Sequence, residues 1–131
     1  MLTIYTSLNY SALKLYEGAA DFLYPEHTLG PYEQMKMIDE HIETFKSSDV
    51  TILTMSPYIL NYLNVKFASK DLEENDINIF FIDNKSNSKL SLKVKDENDN
   101  LIVDTYDFSE PMNYILNLWM TYKDVTNVKN N

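Results

Sequence analysis

The chain has 131 residues, enough for one domain around one core. Its formal charge of −9 argues against unaided nucleic-acid binding, which needs clustered Lys and Arg, and its lack of cysteine excludes a disulfide framework or a thiolate metal site. No apolar run reaches the length of a membrane span, and the start MLTIYTSLNY lacks the basic flank and cleavage site of an export signal, so a cytoplasmic location is the expectation.

Residues 2–6 alternate weakly and read as a short strand. Residues 11–24 fit a helix loosely, with Ser11 as a cap and Gly18 weakening it by about 1 kcal/mol relative to Ala. Pro25 closes that segment and Gly30-Pro31 opens the next. Residues 31–47 form the clearest helix: Met35, Ile38, Ile42 and Phe45 make one apolar stripe, with Asp39, Glu40 and Glu43 pointing away. Burying those four side chains contributes about 1.5–3 kcal/mol each before entropy. Residues 50–54 are apolar without alternation, as in a strand covered on both faces of a parallel sheet, and residues 2–6 are the natural parallel neighbour. Ser56 then caps a helix with Pro57 at its first position, running to Asn64.

After Asn64 the pattern changes. Residues 77–83, 89–95 and 101–107 are strand-like runs separated by the turn-rich NKSNS and DENDN, which implies an antiparallel meander. Leu90, Leu92 and Val94 alternate with Ser91, Lys93 and Lys95, so the middle strand has one wet face. The lysines Lys85, Lys89, Lys93 and Lys95 read as that solvated face rather than a binding patch. Ser109 caps a closing helix carrying Met112, Ile115, Leu116, Trp119 and Met120, and the tail 124–131 frays. The expected fold is thus α/β: a single domain, 1–131, with a small parallel sheet and crossover helices over 1–65, then antiparallel strands and a C-terminal helix over 77–123.

The segment TILTMSPYILNYLN, 51–64, resembles the "(I/V)xxTTHSPYILNYLN" stretch of ABC-type ATPases of the RecF/SMC-like and OLD-like groups, within the AAA family. Upstream, LYPEHTLGPYEQ, 23–34, resembles the "DEPExxLHPxxQ" region after the Walker B strand, with Pro25, Glu26, Leu29, Pro31 and Gln34 in register. The resemblance covers about residues 16–65 and implies the C-terminal lobe of an ATPase head. The residues carrying chemistry are changed. The magnesium-associated Asp maps to Leu23, the water-polarising Glu to Tyr24, and the histidine that touches the γ-phosphate to Met55, whose thioether has no proton to give. His27 is displaced from the family's LHP histidine, which maps to Gly30. No G-x-x-x-x-G-K-S/T phosphate cradle is present. Phosphoryl transfer depends on electrostatic positioning, so hydrolysis is not expected.

Other constellations carry less. His41 reads as a solvated helix histidine, since no second ligand follows at i+4. Glu26 reads as a helix-start acid rather than a general base. Ser7, Ser56 and Ser69 lack a G-x-S-x-G setting. Tyr58, Tyr62, Phe67, Phe80 and Phe81 read as core packing in the absence of a basic groove. Trp119, with Met112, Met120 and Tyr122, reads as core ahead of an exposed docking face. The leading expectation is a non-catalytic, ATPase-derived protein-interaction module with no cofactor, modulating a related full-length ATPase; Tyr58, Tyr62, Trp119 and Met120 are the interaction candidates. The first alternative is a partial ATP-binding or hydrolysing subunit completed by a partner chain, with ATP and magnesium in a composite site lined by Tyr24, Glu26 and Ser56. The second is an unrelated small α/β protein.

Overall fold

The computed structural model describes residues 1–130, with the side chains of all but 106–109 and 124–130. Strand β1 (Leu2–Thr6) lies at the centre of a five-stranded sheet, paired in parallel with β3 (Val50–Leu53) on one side and β4 (Ile77–Ile82) on the other. The expected neighbour of β3 is therefore the observed one. A two-residue strand β2 (Phe22–Leu23) adds in parallel to the outer edge of β3, and β5 (Lys89–Ser91) closes the far edge antiparallel to β4, for an order β2-β3-β1-β4-β5. Helices and sheet thus make an α/β fold, as read from the pattern.

Helices α1 (Pro31–Glu40), α2 (Ile42–Ser47) and α3 (Pro57–Ala68) cover one face. Ile38, Phe45, Ile59, Leu60 and Leu63 meet Leu2, Ile4, Ile52, Ile77 and Ile79 there in the main core. The other face is covered thinly, by Ala12 and Leu13 of a 3-10 helix (Tyr10–Ala19) over Leu53 and Ile82. Beside them Tyr5 stacks on Tyr16 at 4.2 Å between ring centroids and on Phe80 at 5.8 Å, and Lys89 lies 4.4 Å over the Phe80 ring.

Several sequence expectations need correction. The helix expected at 11–24 is the 3-10 helix followed by β2. Asn9 rather than Ser11 is its cap, accepting from the Ser11 N–H at 2.9 Å. The chain then leaves the helix because Asp21 ties it to β3: Asp21 N donates to Thr51 O at 2.9 Å, and Thr51 N donates to the Asp21 carboxylate at 2.8 Å. The helix expected at 31–47 breaks at His41, where φ −108° and ψ 7° separate α1 from α2. His41 is not a solvated helix residue. Its ring is half-buried against Phe22 and Phe45, with Nδ1 2.9 Å from Met37 O, and it fills the corner. The apolar stripe survives the break, with Ile38 and Phe45 buried and Met35 and Ile42 half-buried.

The strand expected at 89–95 splits at Leu92 into β5 and β6 (Lys93–Lys95); β6 pairs antiparallel with β7 (Leu101–Val103) in a separate two-stranded sheet. Buried Leu92 is the pivot, donating its N–H to Ile79 O at 2.9 Å and accepting from Asp104 N at 2.8 Å. Leu90 is exposed rather than buried with it. Lys93 is not on a solvated face: its ammonium donates to Glu74 O, Ile77 O and Asn78 Oδ1 at 2.7, 2.9 and 3.2 Å, tying β6 to the start of β4. The last strand stops at Val103, and the closing helix α4 (Tyr106–Asn130) begins before Ser109, carrying Pro111 inside it. The tail expected to fray at 124–131 is instead part of α4 as far as Asn130, and residue 131 lies outside the described residues. The larger correction concerns the α4 face expected to be core. Every described side chain from 110 to 123 is exposed.

Candidate functional site

Parallel pairing brings the C-terminal ends of β1, β2, β3 and β4 to one edge of the sheet. The 3-10 helix after β1 and α3 after β3 depart over opposite faces, so the ends of these adjacent strands form the crevice where open α/β sheets place ligands. Leu23, Tyr24, Glu26, Met55 and Ser56 all converge there.

Ser56 opens α3 as expected. Its Oγ accepts from Ile59 N at 3.3 Å and donates to Gln34 Oε1, while the Gln34 amide donates to Leu29 O at 2.9 Å. Gln34 and Ser56 are both buried, so each supplies the partner the other needs in an apolar setting. This clasp locks the first turns of α1 and α3 together.

Glu26 holds the other side of the turn. Its carboxylate accepts from Thr54 Oγ1 at 2.6 Å, from Met55 N at 2.8 Å and from Tyr10 Oη at 3.3 Å. Thr54 Oγ1 in turn accepts from Ser56 N at 3.0 Å. The Met55 backbone N–H, at the tip of β3, is therefore already bound to an internal carboxylate. An incoming phosphate oxygen at that N–H would have to displace Glu26 and approach its negative charge. The Met55 side chain turns to the apolar cluster under the 3-10 helix, where a flexible thioether fills space.

Tyr24 is the most unusual residue of the edge. It adopts φ 47° and ψ 64°, a left-handed conformation that costs a bulky side chain of order 1–3 kcal/mol. Tyr24 N donates to Leu53 O at 2.8 Å, which extends β2–β3 pairing, and its hydroxyl donates to Glu17 at 2.9 Å. Burial, then the Glu17 hydrogen bond and charge, push the Tyr24 phenol up to about 12. Tyr10 packs edge-on at 4.9 Å, and its phenol is also raised, by burial first and then by Glu26. His27 completes an aromatic trio, 5.0 Å from Tyr10 and 5.2 Å from Tyr24 between ring centres. Leu23 pairs with Leu53 in the sheet and leaves its side chain exposed. Nothing in the chain's periodicity signals the Tyr10–Tyr24–His27 group, because it is assembled by the left-handed turn.

Just after β1, Ser7 Oγ donates to Ile82 O at 2.8 Å, whereas the fully buried Thr6 Oγ1 at the end of the strand has no hydrogen-bond partner. Among the described residues no group of three or more His, Cys, Asp or Glu side chains is placed to hold a metal ion.

The interaction candidates fall in two separate places. Tyr58 and Tyr62 line a groove of about 320 Å³ with Met35, Pro57, Asn61 and Val65. Tyr58 is exposed; Tyr62 is half-buried and tied to α1 by a 2.6 Å hydrogen bond from its hydroxyl to Asp39, which also pairs with Lys66. Trp119 and Met120 are exposed on α4, with Lys123 Nζ 4.8 Å over the Trp119 ring. Of Tyr58, Tyr62, Phe67, Phe80 and Phe81, read as core packing, Phe67 is buried, Tyr62, Phe80 and Phe81 are half-buried and pack against the two core clusters, and Tyr58 is exposed. Comparison with protein-family models, curated proteins and solved structures gives no match to this chain.

Proposed function

We propose that this chain is a non-catalytic protein-interaction module on the scaffold of an ABC-type ATPase C-terminal lobe, acting in the cytoplasm on a related full-length ATPase. The observation that carries the interaction role is the surface of α4, where eight large apolar side chains from Met112 to Tyr122 are each between 41% and 70% exposed. That is more apolar surface than a chain working alone keeps in water. The Tyr58–Tyr62 groove is a second apolar surface, suited to the flank of a partner. The non-catalytic part is supported by Glu26, whose carboxylate occupies the Met55 N–H. Among the described residues no helix is long and apolar enough to cross a membrane.

The test has two arms. Calorimetric titration of ATP and magnesium into the pure chain gives no heat of binding on this reading. Immobilised chain retains a purified full-length ABC-type ATPase from the same host, and Tyr58→Ala weakens the retention. Tight ATP binding by the isolated chain, or no retention of such an ATPase, overturns the proposal.

A further inference from the structure

The Tyr58–Tyr62 groove is left to the ATPase, and α4 calls for a partner of its own. Taking the chain as an interaction module, we infer that α4 packs against α4 of further copies of this same chain, so that the protein self-assembles through its closing helix.

Three properties of the helix lead there. The first is spacing. Met112, Ile115, Trp119 and Tyr122 follow one another at intervals of three, four and three residues, the a/d rhythm of a helix-to-helix seam. Leu116 and Met120 widen the seam on one side, Tyr114 and Leu118 on the other. Asn113, Asn117 and Thr121 occupy the opposite wedge at steps of four, and Thr121 Oγ1 is satisfied within the helix by donating to Asn117 O at 2.9 Å. A helix polar on one narrow wedge and apolar elsewhere is built to sit among other helices.

The second is area. With full aromatic side chains presenting about 150–250 Å², the eight exposed residues offer on the order of 900 Å² per copy. A standard specific interface takes about 800 Å² from each partner, so the surface reaches that size when neighbouring copies together cover its arc. A helix of 25 residues is about 37 Å long, enough for the whole seam to pair side by side.

The third is charge. Between residues 110 and 123 the helix carries one acid, Glu110, and one base, Lys123, although the whole chain is at −9. The face is nearly neutral, so two acidic copies meet there without local repulsion, and a basic partner has nothing on it to recognise. Helices that lie on membranes carry Lys and Arg on the polar face; here that wedge holds Asn, Asn, Thr and Glu. The arc is wider than one neighbouring helix covers, so association beyond two copies belongs to the same assignment.

Sedimentation equilibrium of the full chain across a hundredfold range of concentration tests this. The expected result is a mass of at least twice 15.3 kDa that reverts to a single chain in Ile115→Glu/Trp119→Ala, with the thermal melt of the sheet domain unchanged because these side chains are exposed. Wild-type chain that stays at one copy throughout overturns the inference, as does an oligomer that the double variant leaves intact. Phosphatidylcholine or phosphatidylserine vesicles that bind a monomeric wild-type chain through Trp119, read by a fluorescence shift, overturn it in favour of a membrane surface. A monomer that still retains the ATPase removes self-assembly and leaves the interaction role standing, whereas ATP binding by the isolated chain strikes the role itself.

Discussion

Replacing Glu26 with alanine removes the acceptor that organises the end of β3. Two short hydrogen bonds are lost, from Thr54 Oγ1 at 2.6 Å and Met55 N at 2.8 Å, with a longer one from Tyr10 at 3.3 Å. A hydrogen bond to a charged acceptor contributes about 1.5–3 kcal/mol. Thr54 is fully buried and holds Ser56 N through the same oxygen, so its hydroxyl loses its acceptor where water enters poorly. Met55 and Glu26 are half-buried, and water there recovers part of the loss. The expected destabilisation is about 2–4 kcal/mol, a fall in Tm of about 10 °C for a domain of this size. Glu26→Gln keeps one acceptor oxygen but turns an NH2 toward the second donor, and is expected to lose about half as much. Urea unfolding of the three proteins, followed by far-UV circular dichroism, gives the comparison. A Glu26→Ala midpoint within about 0.5 kcal/mol of wild type would refute the reasoning, leaving the carboxylate unburdened and available for other chemistry.

Thr6→Val keeps the shape of the side chain and removes a buried hydroxyl with no partner; stability in a urea melt should rise by about 1 kcal/mol, and a loss of that size would show the hydroxyl to be satisfied. Tyr24, raised to about 12 in the fold, should appear in a phenolate absorbance titration as a late-ionising group that moves down in Glu17→Gln. Because its folded value lies above the unfolded value near about 10, its contribution is complete below that pH and is lost as pH rises toward the folded one; Tyr24→Phe should flatten this alkaline decline. Burial raises the Asp39 carboxyl, but hydrogen bonds from Lys66 and Tyr62 outweigh it and leave it below its ordinary range. Its contribution is therefore present above about pH 3.9 and lost as pH falls through the lower folded value, so Asp39→Asn should remove part of the acid slope while costing no more than about 1 kcal/mol near neutrality, the Asp39 side chain being 45% exposed.

Much of this was legible in the chain itself. Val50–Leu53 announces a strand in a parallel sheet because a strand covered on both faces has no polar alternation to keep, and Leu2–Thr6 offers it the parallel neighbour it needs. Ser56-Pro57 announces a helix start because the cap geometry is local and needs only the next three residues. The contacts of Glu26 and Gln34 were not legible, although both residues were in view: their partners lie 28 and 22 positions away and are reached only across the strand order.

Local chemistry determined where elements begin and which faces are apolar. Distance in space decided the rest. Two residues, Phe22 and Leu23, are too few to show a period, yet they become an edge strand once Asp21 anchors them to β3. Leu90 and Leu92 look alike in an alternating run, but only Leu92 meets the core, because the chain turns there between two sheets. The α4 stripe reads the same whether it is core or interface. An apolar face specifies that it is to be covered, and only the tertiary structure shows that the described side chains of this one, 110–123, stand outside the domain's own core.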